Sequence, residues 1–176
     1  MNNFPDTPNP DNYWVIPGRL IAGAYPGARY FEEDARRKLD RLLMAGVTQF
    51  VDLTEEGELP PYLAILEEQA GWLDKTAVHQ RFPIKDMHCP TPAQVKEILD
   101  TIDAALKDRR TVYVHCYGGI GRTGTIIGCY LVRHGLPGAE ALNTIARLRA
   151  GSSNGWVRSP ETDEQWEMVL NWESGK

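Results

Sequence analysis

The feature that most restricts what this chain can become is the stretch Val114-His115-Cys116-Tyr117-Gly118-Gly119-Ile120-Gly121-Arg122-Thr123-Gly124. The residues before it, Thr-Val-Tyr-Val-His at 111–115, are β-branched and aromatic, the clearest strand in the sequence. Those after it, 122–133, are apolar and almost unbroken, as a buried helix requires. A strand that passes through a glycine-rich turn into a helix curls successive backbone N–H groups around one point. The helix N-terminus adds its partial positive charge there, and such a concavity binds phosphate. Glycines let the backbone come close to the anion where a Cβ would obstruct it.

The rest of the chain reads as strands alternating with helices. A short strand is expected at 19–24, closed by the turn signal Pro26-Gly27, and a helix at 31–45 with Leu39, Leu42, Leu43 and Met44 as its apolar positions and Gly46 as its stop. Residues 49–53 predict a strand that ends in an acidic loop, 54–58; residues 61–70 predict a helix stopped by Gly71; residues 77–82 predict a strand broken by Pro83. Thr91 and Pro92 make a helix start, and Val95, Ile98, Leu99 and Ile102 share one face of the helix that runs to about residue 107. Further helices are expected at 138–149 and 161–172. This alternation predicts an α/β fold: one domain with a central, largely parallel sheet flanked by helices. Residues 1–12, rich in Pro and Asn, predict a flexible N-terminal tail, so the domain is expected to span 13–176.

With 176 residues the chain has room for one domain with a substantial core. Its net charge of −5 speaks against a general nucleic-acid or membrane-surface binder, both of which need a dense field of Lys and Arg. The longest apolar stretches, such as 59–66, fall far short of the ~20 residues that cross a bilayer, and the N-terminus has no secretory pattern. A cytoplasmic location follows as the expectation. Cys89, Cys116 and Cys129 are too few and too irregularly spaced for a disulfide framework or a zinc site. His79, His88 and His134 show no metal-ligand spacing, and no metal or other cofactor is expected. The oligomeric state is left open.

A cysteine at the mouth of the glycine loop sits in the positive field of backbone amides, helix dipole and the Arg122 guanidinium, which favours the nucleophilic thiolate. Arg122 offers a planar fork that matches two phosphate oxygens. Cys116 and Arg122 are therefore the candidates for nucleophile and phosphate holder. Thr123 is placed to donate its hydroxyl to the sulfur, and His115 to buttress the loop while pointing away from Cys116. Tyr117, Gly118, Gly119, Ile120 and Gly121, with Arg122, line the cradle. A general acid is needed on a separate loop upstream, and Asp86 in Arg81-Phe82-Pro83-Ile84-Lys85-Asp86 fits, although Asp52, Glu55 and Glu56 also lie near a strand's C-terminal end. Cys129, within an apolar helix, reads as core. Cys89 reads either as a packing thiol or as a partner for Cys116. Trp156, Trp166 and Trp172 read as C-terminal core, with Trp156 alternatively overhanging the site.

The run H-C-Y-G-G-I-G-R-T-G resembles the signature loop of the protein tyrosine phosphatase superfamily, whose essentials are His, Cys, five residues, Arg and Ser or Thr. The Asp86 segment resembles the general-acid loop of small dual-specificity phosphatases. Residues 13–27 resemble the opening of the compact atypical members, and 148–149 with 159–165 resemble their closing segment, so the likeness covers nearly everything from residue 13. Residues 152–158 depart from it as an insertion. The resemblance implies a cysteine-phosphatase fold and hydrolysis of phosphomonoesters through a phosphocysteine intermediate. It implies a phosphoprotein as partner, with phosphotyrosine and phosphoserine or phosphothreonine as substrates. Larger relatives use a glutamine to position the water; here Glu161 and Gln165 are equal candidates.

The loop's variable positions carry no lysine, which disfavours polyanionic phosphoinositides. Nucleotides or RNA ends, and a phosphopeptide-binding module without turnover, stand as alternatives. So does a sulfur transferase or arsenate reductase, which would not need Asp86.

Overall fold

In β5 (Thr111–His115) alternate side chains enter opposite layers, and this places the two cores of the fold. Val112 and Val114 join Leu20, Ala22 and Val51 in the larger core, with Ile98, Ile126 and Ile145; Tyr113 joins Trp14, Ile21 and Phe50 in the smaller one, with Leu39, Leu42 and Leu66. The chain, described here from a computed structural model over residues 6–176, is a single α/β domain. Its other elements are β1 (Tyr13–Ile16), β2 (Leu20–Gly23), α1 (Glu32–Met44), β3 (Val47–Asp52), α2 (Leu63–Trp72), β4 (Val78–Arg81), α3 (Pro92–Lys107), α4 (Gly121–Arg133), α5 (Gly138–Arg149) and α6 (Asp163–Leu170).

The sheet runs in the order β1-β2-β5-β3-β4, with β1 antiparallel to β2 and every other pairing parallel. Helices α1 and α2 cover one face, α3 to α6 the other. β5 is central, buried at every residue, and its C-terminal end opens where neighbouring strands β2 and β3 also end. Ligands of open parallel sheets bind at such an edge. Helix α4 is buried from Gly121 to Tyr130, because α3, α5 and α6 enclose it. Each fully buried aliphatic side chain there contributes about 1.5–3 kcal/mol.

Several expectations shift. β1 was not foreseen: four apolar residues show no alternation, and the strand exists only through its pairing with β2 around the Pro17-Gly18 turn. Gly71 lies inside α2 rather than stopping it, and the last helix starts at Asp163, where Thr162 and Gln165 form a reciprocal cap. Of the expected tail, residues 1–5 lie outside the described residues. Residues 6–12 run along the domain: Asn9 and Asn12 are buried, Asn9 Nδ2 donates to the Lys38 carbonyl at 3.2 Å, and Ser153 N donates to the Pro10 carbonyl at 2.7 Å.

Candidate active site

The loop from Cys116 to α4 is held from outside by its carbonyl groups. Tyr25 N donates to the Tyr117 carbonyl at 3.0 Å, Asn154 Nδ2 to that of Gly118 at 2.9 Å, Ser159 Oγ to that of Ile120 at 2.7 Å and Thr125 Oγ1 to that of Gly121 at 2.8 Å. With these carbonyls engaged by other parts of the fold, the loop amides are free for the concave side, an arrangement suited to an anion at the start of α4. Gly119 has φ +69, and a Cβ there would stand 2.4 Å from the backbone carbon of Gly23, so this turn of the loop admits only glycine.

Cys116 and Arg122 are both buried at this point. Arg122 Nη1 and Nη2 each lie 2.7 Å from an oxygen of Glu58, a bidentate pair, while Nη1 also donates to the Ile84 carbonyl at 2.9 Å and Nη2 lies 2.9 Å from Asp86 Oδ1. Burial opposes the charge on Arg122, but the hydrogen bonds it donates to Glu58 and the nearby Cys116, Glu58 and Asp86 hold its pKa above the usual guanidinium value. Glu58 is correspondingly held below the usual carboxylate range by its bonds to Arg122. Arg122 Nε is buried with no hydrogen-bond partner among the described residues. A buried donor of this kind is satisfied when an oxyanion enters.

The structure thus brings Cys116, Arg122 and Asp86 to one place. Asp86 is 59% exposed at its side chain, on a loop pinned on both sides: Ile84 N donates to the Leu53 carbonyl at 3.1 Å, and Gln165 Nε2 to the His88 carbonyl at 3.1 Å. Glu58 was not foreseen as a site residue. Its only sequence signal was the acidic loop at the end of β3.

His115 points away from the loop into the layer beneath. Its Nε2 is 2.7 Å from Tyr62 Oη and its Nδ1 3.2 Å from the Cys116 carbonyl. Burial lowers its pKa to about 4 against the opposing pull of Asp52, which keeps it neutral. Asp52 is fully buried and accepts from His79, Arg81 and Thr54; these partners, with His115 nearby, overcome burial and hold its carboxyl well below the usual range. That places Asp52 in a structural network rather than at the leaving group. Thr123 Oγ1, expected to donate to the Cys116 sulfur, is buried with no partner among the described residues.

Gln165 caps α6: its Oε1 accepts from Glu161 N at 3.0 Å and Thr162 N at 3.1 Å, so both ends of its amide are occupied. The insertion is not core. Arg149, buried, binds the Val157 and Asn154 carbonyls and Asn154 Oδ1, which turns the segment outward and leaves Trp156 87% exposed. Trp172 is buried as expected. Cys129 is buried in α4, and Cys89 donates its thiol to the Glu164 carbonyl at 3.7 Å. Among the described residues no group of three or more His, Cys, Asp or Glu could hold a metal ion, and no helix is long and apolar enough to cross a membrane.

A buried thiol within a nest of amides, next to a guanidinium and an accessible carboxyl group, is equipped for covalent transfer of a phosphoryl group. A family model described as "Swiss Army Knife protein, DSP-PTPase phosphatase domain" matches residues 10–164. The chain is similar to dual specificity protein phosphatase CDC14C of Homo sapiens, 28% identical over 156 residues, which covers 85% of this chain and 30% of that protein. It is 27% identical over 142 residues to the Arabidopsis thaliana protein named phosphatidylinositol 3,4,5-trisphosphate 3-phosphatase and protein-tyrosine-phosphatase PTEN1, covering 80% of this chain and 33% of that one. The chain therefore spans about a third of the length of these relatives. The crystal structure of Tk-PTP in its active form superimposes with a TM-score of 0.69 at 29% identity, over 93% of this chain and 97% of that one.

Proposed function

The chain belongs to the DSP-PTPase phosphatase-domain family, and on that premise we propose that it hydrolyses phosphotyrosine, and also phosphoserine and phosphothreonine, in proteins through a phosphocysteine intermediate. One observation carries the reading: Cys116 lies in a loop whose Tyr117, Gly118 and Ile120 carbonyls are engaged by other parts of the fold, beside an Arg122 whose Nε is buried without a partner among the described residues. In the first step the Cys116 sulfur bonds to phosphorus while the bond to the leaving oxygen breaks, and Asp86 supplies that oxygen's proton. A phosphate at the guanidinium competes with Asp86 for Nη2, which frees the carboxyl group for this task. In the second step water attacks phosphorus, the Asp86 carboxylate takes its proton, and the S–P bond breaks to return the thiolate and release inorganic phosphate. Loop amides and Arg122 hold the equatorial oxygens in both steps. Phosphotyrosine reacts best because phenolate leaves most readily. Three free thiols suit a reducing, cytoplasmic setting.

The Arabidopsis relative is named for a lipid substrate as well as for phosphotyrosine. Against a lipid, positions 117–121 of this loop carry no cation to meet further ring phosphates. The test is hydrolysis of p-nitrophenyl phosphate in the presence of chelator. The wild type is expected to turn over, Cys116→Ser to lose essentially all activity, and Asp86→Ala to lose about 10²–10⁴-fold in rate. Retained turnover in Cys116→Ser overturns the reading.

A further inference from the structure

Beside the phosphate cradle lies a cleft, a cavity of about 540 Å³ that shares Tyr117 and Gly118 with the loop. Most of its remaining wall comes from the β2–α1 connection and from α1, with Asp11 and the 153–154 segment completing it, and it carries Arg29, Arg37, Lys38 and Arg41 against Asp11 and Asp34. In a chain of net charge −5 this is a local excess of positive charge immediately next to the proposed reaction centre. Among the described residues only Arg37 of the four forms an ion pair, with Asp34. Arg29 lies over the Tyr117 ring at 4.9 Å from its centroid, so the cleft's cations reach the phosphate loop itself.

We infer that this cleft binds the acidic side chains of an extended phosphoprotein segment and thereby selects phosphotyrosine sites flanked by Asp or Glu. The inference rests on the phosphatase reading of Cys116. Arg37 and Arg41 stand one helical turn apart on α1, about 6 Å along its axis. Side chains on the same face of an extended peptide recur at about 7 Å, so successive carboxylates meet successive cations. The cations are strung along a helix and a loop rather than gathered around one point, which suits an extended chain better than a compact headgroup. Asp11 and Asp34 in the same wall repel a doubly charged phosphate more strongly than a carboxylate. A charged cleft of this kind acts on encounter and on KM more than on the chemical step.

The test compares kcat/KM for a phosphotyrosine peptide flanked by glutamates, the same peptide flanked by glutamines, a phosphoinositide bearing a second phosphate, and p-nitrophenyl phosphate, for wild type and Arg37→Glu/Arg41→Glu. In the wild type the glutamate peptide is expected to exceed the glutamine peptide, with a difference that shrinks as salt rises. In the double variant the ratio of the glutamate peptide to p-nitrophenyl phosphate is expected to fall about tenfold, mainly through KM. A ratio that stays constant overturns the inference. So does a fall confined to a phosphoinositide bearing a second phosphate, which would assign the cleft to a lipid headgroup. Failure of the wild type to hydrolyse p-nitrophenyl phosphate refutes the phosphatase reading instead and is read separately.

Discussion

Glu58 controls how Arg122 is presented. Its two oxygens take both terminal nitrogens of the guanidinium, which fixes the plane of the fork and leaves Nε for a bound oxyanion. Arg122 is buried while the Glu58 side chain keeps 20% of its surface exposed, so the pair orders the arginine at moderate desolvation cost. Glu58→Gln removes the charge and one of the two acceptors. The expected result is a loss of about tenfold in kcat/KM for p-nitrophenyl phosphate, with partial recovery in Glu58→Asp. Steady-state kinetics of the two variants checks this, and unchanged kcat/KM in Glu58→Gln would mean that Asp86 and the Ile84 carbonyl suffice to aim Arg122.

At the scale of elements, the insertion after α5 acts as a bracket for the phosphate loop. Asn154 stands between two partners: its Nδ2 donates to the Gly118 carbonyl and its Oδ1 accepts from Arg149 Nη2 at 3.0 Å. Arg149 in turn is fixed by the Val157 carbonyl at 2.7 Å. The stiffness of the loop at Gly118 thus depends on a segment that follows the sheet by two whole helices. Asn154→Ala leaves the Gly118 carbonyl without this partner and Arg149 Nη2 with only the main-chain carbonyl of residue 154. The predicted loss is about 1–2 kcal/mol of stability in urea unfolding, together with a several-fold drop in kcat on p-nitrophenyl phosphate. Intact stability and rate would show that the other three outward carbonyl contacts hold the loop alone.

Across the whole molecule, His115 and Asp52 couple stability to pH. The folded chain keeps His115 neutral down to about pH 4 against an ordinary value of 6.5, so between those values the unfolded chain binds a proton that the folded chain does not. Stability is therefore full above pH 6.5 and falls as pH drops towards 4, by about 3 kcal/mol for this group. Asp52, held below its usual range, adds a further loss below the ordinary aspartate value of 3.8. Urea midpoints measured from pH 7.5 to 4.5 should decline in the wild type and decline less in His115→Asn. The strand-loop-helix unit around Cys116 was legible in the sequence because each part of it is specified locally: β-branched alternation, glycines at the turn and an unbroken apolar helix. The helices α1 and α3 were legible for the same reason, through their 3.6-residue periodicity and the Thr91-Pro92 start. Glu58, Tyr62 and Asn154 were not, because their roles are contacts across the fold, 64 residues from Arg122, 53 from His115 and 36 from Gly118 respectively. The basic cleft is of the same kind, since nothing local brings Arg29, Arg37 and Arg41 beside Tyr117. The sequence by itself marked the loop proposed to hold an anion and the thiol proposed to meet it. Only the packing of α1, the β3–α2 loop and the insertion around the end of the sheet decided what aims the arginine, what braces the loop and what charge surrounds it.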